Sequence, residues 1–222
     1  MPQHSSHHPA TQRAKQAVER DDDITTLADA RTQVQSCRRC PLYAYATQAV
    51  FGEGAGHADV MFVGEQPGDK EDLAGRPFVG PAGEVLDAVL EEVGIERSRV
   101  YVTNAVKHFK FVQRGKRRLH QRPDAGEVQA CKFWLDLEIE LVEPQIIVAL
   151  GATAAQSLLG RRSATIGKLR GAAIPLEDGR LLFVTNHPSY LLRIPDQAGR
   201  ARERAKFQAD LQLVRDAIGR RH

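Results

Sequence analysis

Four short apolar runs set the rhythm of the chain: Val60-Met61-Phe62-Val63-Gly64, Val100-Tyr101-Val102-Thr103, Gln145 to Leu150, and Leu181 to Val184. Continuous runs of this length suit strands buried on both faces, as in a parallel sheet. Helical patterns separate them. Ala82 to Val93 places Val85, Leu86, Val89, Leu90 and Val93 on one face, with Gly94 as its stop. Asp124 is the expected N-cap of a helix that holds Val128, Cys131, Trp134, Leu135 and Leu141 and ends before Pro144. A short helix follows Gly151 as far as Leu159, and the last helix covers Arg200 to Ile218. An earlier helix starts near Asp23 or Thr25 and runs toward Ser36, before the turn Cys37–Cys40 that Pro41 closes. Strands alternating with helices predict a three-layer α/β/α domain over residues 24–222, with a central, mostly parallel four-stranded sheet. Residues 1–23 are polar and nearly free of apolar side chains, which predicts a disordered tail. Lys107 to Pro123 reads as a long loop.

Composition narrows the class. No apolar run approaches the roughly 18 residues of a membrane span, and 42% apolar residues is ordinary for a domain with a core. The start, Met1 to Asp23, has no hydrophobic segment of the secretory kind, so an intracellular, cytoplasmic protein is expected. His4, His7 and His8 are irregularly spaced and read as a solvated tail, not a metal tract. Gly52-Glu53-Gly54-Ala55-Gly56 precedes a strand instead of following one, so it reads as a turn and not as a dinucleotide fingerprint. There is no internal repeat.

Charge changes the picture more. The 31 Lys and Arg against 28 Asp and Glu leave only +3. Seven of those cations, however, lie in the sixteen residues from Lys107 to Arg122, which contain no acid, so the rest of the chain sums to −4. Phe109 and Phe111 interleave with the charges. Cations beside aromatics suit a phosphate backbone and unstacked bases, and Lys116, Arg117 and Arg118 are the expected DNA contacts, with His120 beside them.

In parallel sheets, ligands bind at the carboxyl ends of strands. The four loops there carry Gly64-Glu65-Gln66-Pro67-Gly68, then Asn104 with Lys107 and His108, then Gly151-Ala152-Thr153, then Asn186-His187-Pro188-Ser189. Glu65, Asn104 and His187 are thereby expected at one edge. The three cysteines, Cys37, Cys40 and Cys131, are too few for a disulfide scaffold, and a C-x₂-C turn in an intracellular setting points to metal or redox chemistry. Taken alone, three thiols and a histidine also allow tetrahedral zinc.

The ordered set Gly64-Glu65-Gln66-Pro67-Gly68, Gly75-Arg76-Pro77-Phe78-Val79-Gly80, Val102-Thr103-Asn104 and His187-Pro188-Ser189 resembles the motifs of the uracil-DNA glycosylase superfamily, family 4 branch. The resemblance spans roughly Ser36 to Ile218. Gln66 and the segment Lys116-Arg117-Arg118-Leu119-His120 resemble the UdgX group, whose members excise uracil and stay covalently attached to the DNA through a loop histidine. Leu119 stands where that group usually has Ile. The resemblance implies uracil-containing DNA as partner, single-stranded by preference, and a [4Fe–4S] cluster held by Cys37, Cys40, His108 and Cys131. It implies that Phe78 stacks on uracil, that Asn104 reads its edge, and that backbone N–H groups around Gln66 and Gly68 face the pocket. His187 would donate to the developing uracil oxyanion, and Glu65 would activate His120 as the nucleophile. The alternatives are a multi-turnover glycosylase in which His120 only contacts phosphate, and a non-enzymatic DNA-binding module. A monomer is expected.

Overall fold

A computed structural model describes residues 24–160 and 165–220. The tail expected over 1–23 lies outside the described residues. The elements in chain order are α1 (Leu27–Gln33), β1 (Glu53–Gly54), β2 (Val60–Gly64), α2 (Asp69–Ala74), α3 (Pro81–Val93), β3 (Val100–Asn104), β4 (Phe111–Arg114), β5 (Arg117–His120), α4 (Ala125–Val142), β6 (Ile146–Leu150), α5 (Ala152–Leu159), α6 (Ile166–Leu169), β7 (Ile174–Pro175), β8 (Leu181–Thr185), α7 (Pro188–Arg193) and α8 (Gln197–Gly219).

The four expected strands pair in parallel, in the order β3-β2-β6-β8. Two short antiparallel strands widen the sheet to six among the described residues: β1 beside β3 and β7 beside β8. Residues Glu53–Gly54, expected in a turn, form that first edge strand. Alternation along each strand divides the core. Val60, Phe62, Val100, Val102, Ile146 and Val148 pack against α3 and α8, while Met61, Val63, Tyr101, Ile147 and Ala149 pack against α4 and α5. A third cluster joins α1 to Cys37, Val106, Cys131 and Trp134. Among the described residues, no helix is long and apolar enough to cross a membrane.

The chain leaves β2 toward β3 on one side and later returns to β6 on the other. That reversal opens a crevice at the carboxyl ends of β2 and β6, the usual place for a ligand in such a sheet. Glu65 follows β2 there, and Gly151 to Thr153 follow β6.

The expected long loop is mostly a hairpin. β4 and β5 pair antiparallel, with Phe111 opposite His120 and Val112 opposite Leu119. Two residues connect them, and Gly115 takes φ 59°, as a type II′ turn requires at its first central position. Gln66 ties the hairpin to the core. Its Oε1 accepts from Lys110 N at 2.9 Å, and its Nε2 donates to Gln121 O at 2.9 Å and Lys110 O at 3.2 Å.

Candidate active site

The crevice is a cleft of about 720 Å³. It brings together Glu65, Gln66, Gly68, Phe78, Asn104, His120 and His187. Its floor depends on Gly64, paired in register with Asn104. A Cβ on Gly64 would stand 2.3 Å from Asn104 Oδ1 and 2.9 Å from Phe78 Cζ. The missing side chain is therefore the space that the carboxamide and the ring occupy. Phe78 takes φ 55°, a left-handed backbone that costs a residue other than glycine about 1–2 kcal/mol. Its ring lies near-parallel to that of His187, at 25° and 6.0 Å between centroids.

Glu71, a residue that sequence reasoning missed, holds the two glycine-rich segments together. Its carboxylate accepts from Gly80 N at 2.7 Å and from Gly68 N at 3.1 Å. The Gly68 N–H, expected to face the cleft as a donor, is instead engaged within the loop. The side chain of Gln66 is likewise spent on the hairpin and not on a ligand. An acid three residues after the N-cap glycine of α2 can reach back to the N-cap N–H, which is half of a capping box and was the available signal.

His187 caps α7. Its Nδ1 accepts from Ser189 N at 3.2 Å and lies 2.9 Å from Ser189 Oγ, which accepts in turn from Arg193 at 3.1 Å. A backbone N–H can only donate, so Nδ1 carries the lone pair and the ring proton sits on Nε2. Burial pushes the His187 pKa down to about 4, the nearby Glu65 opposing that shift and Arg193 and His120 adding to it. The ring is therefore a neutral donor at neutral pH. Among the described residues, Nε2 has no hydrogen-bond partner.

In the same cleft, His120 Nε2 stands 3.3 Å from Glu65 Oε1. Half of the His120 side chain is exposed. The second oxygen of Glu65 accepts from Thr153 Oγ1, and Arg122 Nε lies 3.8 Å from it. Burial alone would raise the Glu65 carboxyl. Hydrogen bonds from His120 and Thr153, with the charges of His120 and Arg122, outweigh burial and hold it below the ordinary carboxylate range.

The basic segment differs from its expected role. Lys107 is fully buried, paired with Glu138, and donates to Thr103 Oγ1 and Asn104 O at 2.7 Å each. Lys110 pairs with Glu127 and Asp124, and Arg118 with Asp69 and Asp72. Phe109 is buried beneath the hairpin, stacked on Phe111. Arg118, expected at a phosphate, anchors β5 to α2 instead. Arg114, Lys116 and Arg117 are exposed at the tip and make no ion pair among the described residues.

The cysteine turn lies behind β3. Trp134 Nε1 donates to Cys37 Sγ at 3.2 Å, and Lys107 N donates to Cys131 Sγ at 3.1 Å. Cys37 and Cys131 are buried, as is His108. Burial pushes the Cys131 thiol up to about 12 and raises that of Cys40, with the neighbouring sulfurs adding to both. Burial also lowers His108, Asp72 opposing and Arg38 reinforcing it. Among the described residues, no three His, Cys, Asp or Glu side chains are spaced to hold a single metal ion.

The domain is of the α/β/α class that binds ligands at a topological switch point, and its cleft there holds Asn104, His120 and His187. The profile of the uracil DNA glycosylase superfamily matches residues 51–212. A Type-4 uracil-DNA glycosylase of Thermotoga maritima is 42% identical over 161 residues, covering 72% of this chain and 80% of the relative. One from Sulfurisphaera tokodaii is 37% identical over 180 residues, 78% and 79% of the two chains. A Type-5 uracil-DNA glycosylase of Pyrobaculum aerophilum is 30% identical over 180 residues, 74% and 76%. The chain belongs to the uracil-DNA glycosylase superfamily.

Proposed function

We propose that this protein excises uracil from DNA and then captures the abasic sugar on His120, so that one molecule handles one lesion. The observation that carries this reading is the 3.3 Å contact between Glu65 and His120 in the cleft that His187 also lines. The glycosidic bond is out of reach in a stacked duplex, so the nucleotide is flipped or presented single-stranded. Phe78 stacks on the uracil ring. Asn104 donates to one carbonyl and accepts from the ring N–H, a pattern that cytosine mismatches. As the C1′–N1 bond breaks, its electron pair passes to uracil, and the neutral His187 donates through Nε2 to the developing oxyanion. The sugar is left oxocarbenium-like. One nitrogen of His120 contributes its lone pair to C1′, while the proton on the nitrogen facing Glu65 passes to the carboxylate. Arg114, Lys116 and Arg117, exposed and without an ion pair among the described residues, offer three cations to the DNA backbone.

Cys37, Cys40, His108 and Cys131 are the residues that would hold a [4Fe–4S] cluster, three thiols and an imidazole being a donor set that suits one. The three cysteines lie close enough for Cys37 to raise the pKa of Cys40 and for both to raise that of Cys131, His108 is buried in the segment after β3, and two of the sulfurs already accept N–H bonds of the kind that tune such clusters. When bound, the group would supply a structural tie between α1, α4 and the segment after β3. Similarity to Type-4 glycosylases equally supports a second reading, multi-turnover hydrolysis with Glu65 orienting water. A denaturing gel after incubation with uracil-containing single-stranded DNA separates them. A slow, heat- and SDS-resistant band is expected. Free abasic DNA in excess over protein would favour turnover, and absence of uracil release would overturn both.

A further inference from the structure

The first turn of α5, just after β6, brings Thr153 into the cleft, and the reaction above gives it no part. Thr153 is only 4% exposed, and its hydroxyl lies between two charged groups. Arg122 Nε donates to Thr153 Oγ1 at 3.1 Å. A guanidinium N–H can only donate. The hydroxyl oxygen therefore accepts from Arg122, and its own hydrogen goes to Glu65 Oε2. Arg122 stands 3.8 Å from that same carboxylate oxygen, with the hydroxyl interposed. Oε2 is thereby occupied, and Oε1 is the oxygen left facing His120. Thr153 sits in the first turn of α5, behind the bend that Gly151 makes at φ 99°, so a regular element fixes the hydroxyl and not a free loop.

We propose that Thr153 is a positioning residue for Glu65: its hydroxyl selects which carboxylate oxygen meets His120 and keeps Arg122 from closing onto the carboxylate. The inference rests on the crosslinking reading and adds a residue to it. Without the hydroxyl, the carboxylate is free to rotate and Arg122 competes with His120 for it. The charged or titratable groups around Glu65 are His120, Arg122 and His187. Losing one donor raises the Glu65 carboxyl toward its ordinary value, because the bonded form was the ionised one.

The test is the pH dependence of the adduct-forming rate on uracil-containing single-stranded DNA, for wild type and for Thr153→Val, Thr153→Ala and Thr153→Ser. T153V keeps the shape and T153A cannot clash. Both are expected to slow adduct formation about tenfold, the worth of one charge-assisted hydrogen bond, and to move the acid limb of the profile to higher pH. T153S is expected to restore the rate and the limb. A wild-type adduct with unaltered rates and limbs in T153V and T153A overturns this inference alone. Equal slowing of uracil release and adduct formation with no shift of the limb marks a merely structural role and also overturns it. A wild-type lane without adduct removes the crosslinking reading and this inference together.

Discussion

Substituting Gly64 with alanine is the smallest change that reaches the floor of the cleft. The new methyl would sit 2.3 Å from Asn104 Oδ1 and 2.9 Å from Phe78 Cζ. To regain ordinary contact at 3.4 Å, the carboxamide must retreat by about 1.1 Å and the ring by about 0.5 Å. The strand cannot give way instead, because β2 is hydrogen-bonded to β3 on one side and β6 on the other. Overpacking of this kind costs about 1–3 kcal/mol of stability, which lowers Tm by about 2–4 °C per kcal/mol in a domain of this size. The protein stays folded. A displacement of about 1 Å at the group that reads the base costs about a hundredfold in rate. The assay is single-turnover uracil release from a single-stranded oligonucleotide, with Tm measured beside it. Gly64→Ala is expected to keep its fold and lose about a hundredfold in release. A folded variant within threefold of wild type would refute the claim that Asn104 and Phe78 need the space left by Gly64.

Other consequences follow from the same geometry. Gln66→Leu removes three hydrogen bonds between the core and the hairpin. Adduct formation should fall by about tenfold or more and hydrogen exchange across β4 and β5 should quicken, whereas uracil release falls less. For His187, the unfolded ring takes a proton near pH 6.5, while the folded ring does so only near about 4. Stability from this group is therefore complete above pH 6.5 and lost as pH falls toward about 4. Single-turnover release should show no inflection near 6.5 from His187, and ring NMR shifts should titrate only near about 4. Lys107→Met leaves Glu138 buried without its cation, a loss of about 3–5 kcal/mol that thermal unfolding should register.

The parallel strands were legible because each is a continuous apolar run, buried on both faces, and the strand order put Glu65, Asn104 and His187 at one edge. The edge strands β1 and β7 were not, since two residues give no period. The hairpin was hidden by its own charge. Phe111 to Arg114 does not alternate, and Gly115-Lys116 is a weak turn signal beside Asn-Gly. Net charge also misled. Lys107, Lys110, Arg118 and Arg122 looked like one DNA-facing loop with the tip residues, yet their carboxylate partners lie as far off in sequence as Asp69 and Glu138, and pairing at that range leaves no mark in a local window. Gln66 and Glu71 were hard to assign for a related reason: a side chain in a recognisable motif serves the loop that carries it as readily as the ligand.

In the proposed reaction a nitrogen of His120 forms the covalent bond to DNA. Digesting the protein–DNA product and sequencing the modified peptide by tandem mass spectrometry tests it most directly. A deoxyribose remnant is expected on His120 and is expected to be absent from His120→Ala. A remnant on any other residue, or a product whose protein mass is unchanged after uracil release, would contradict it.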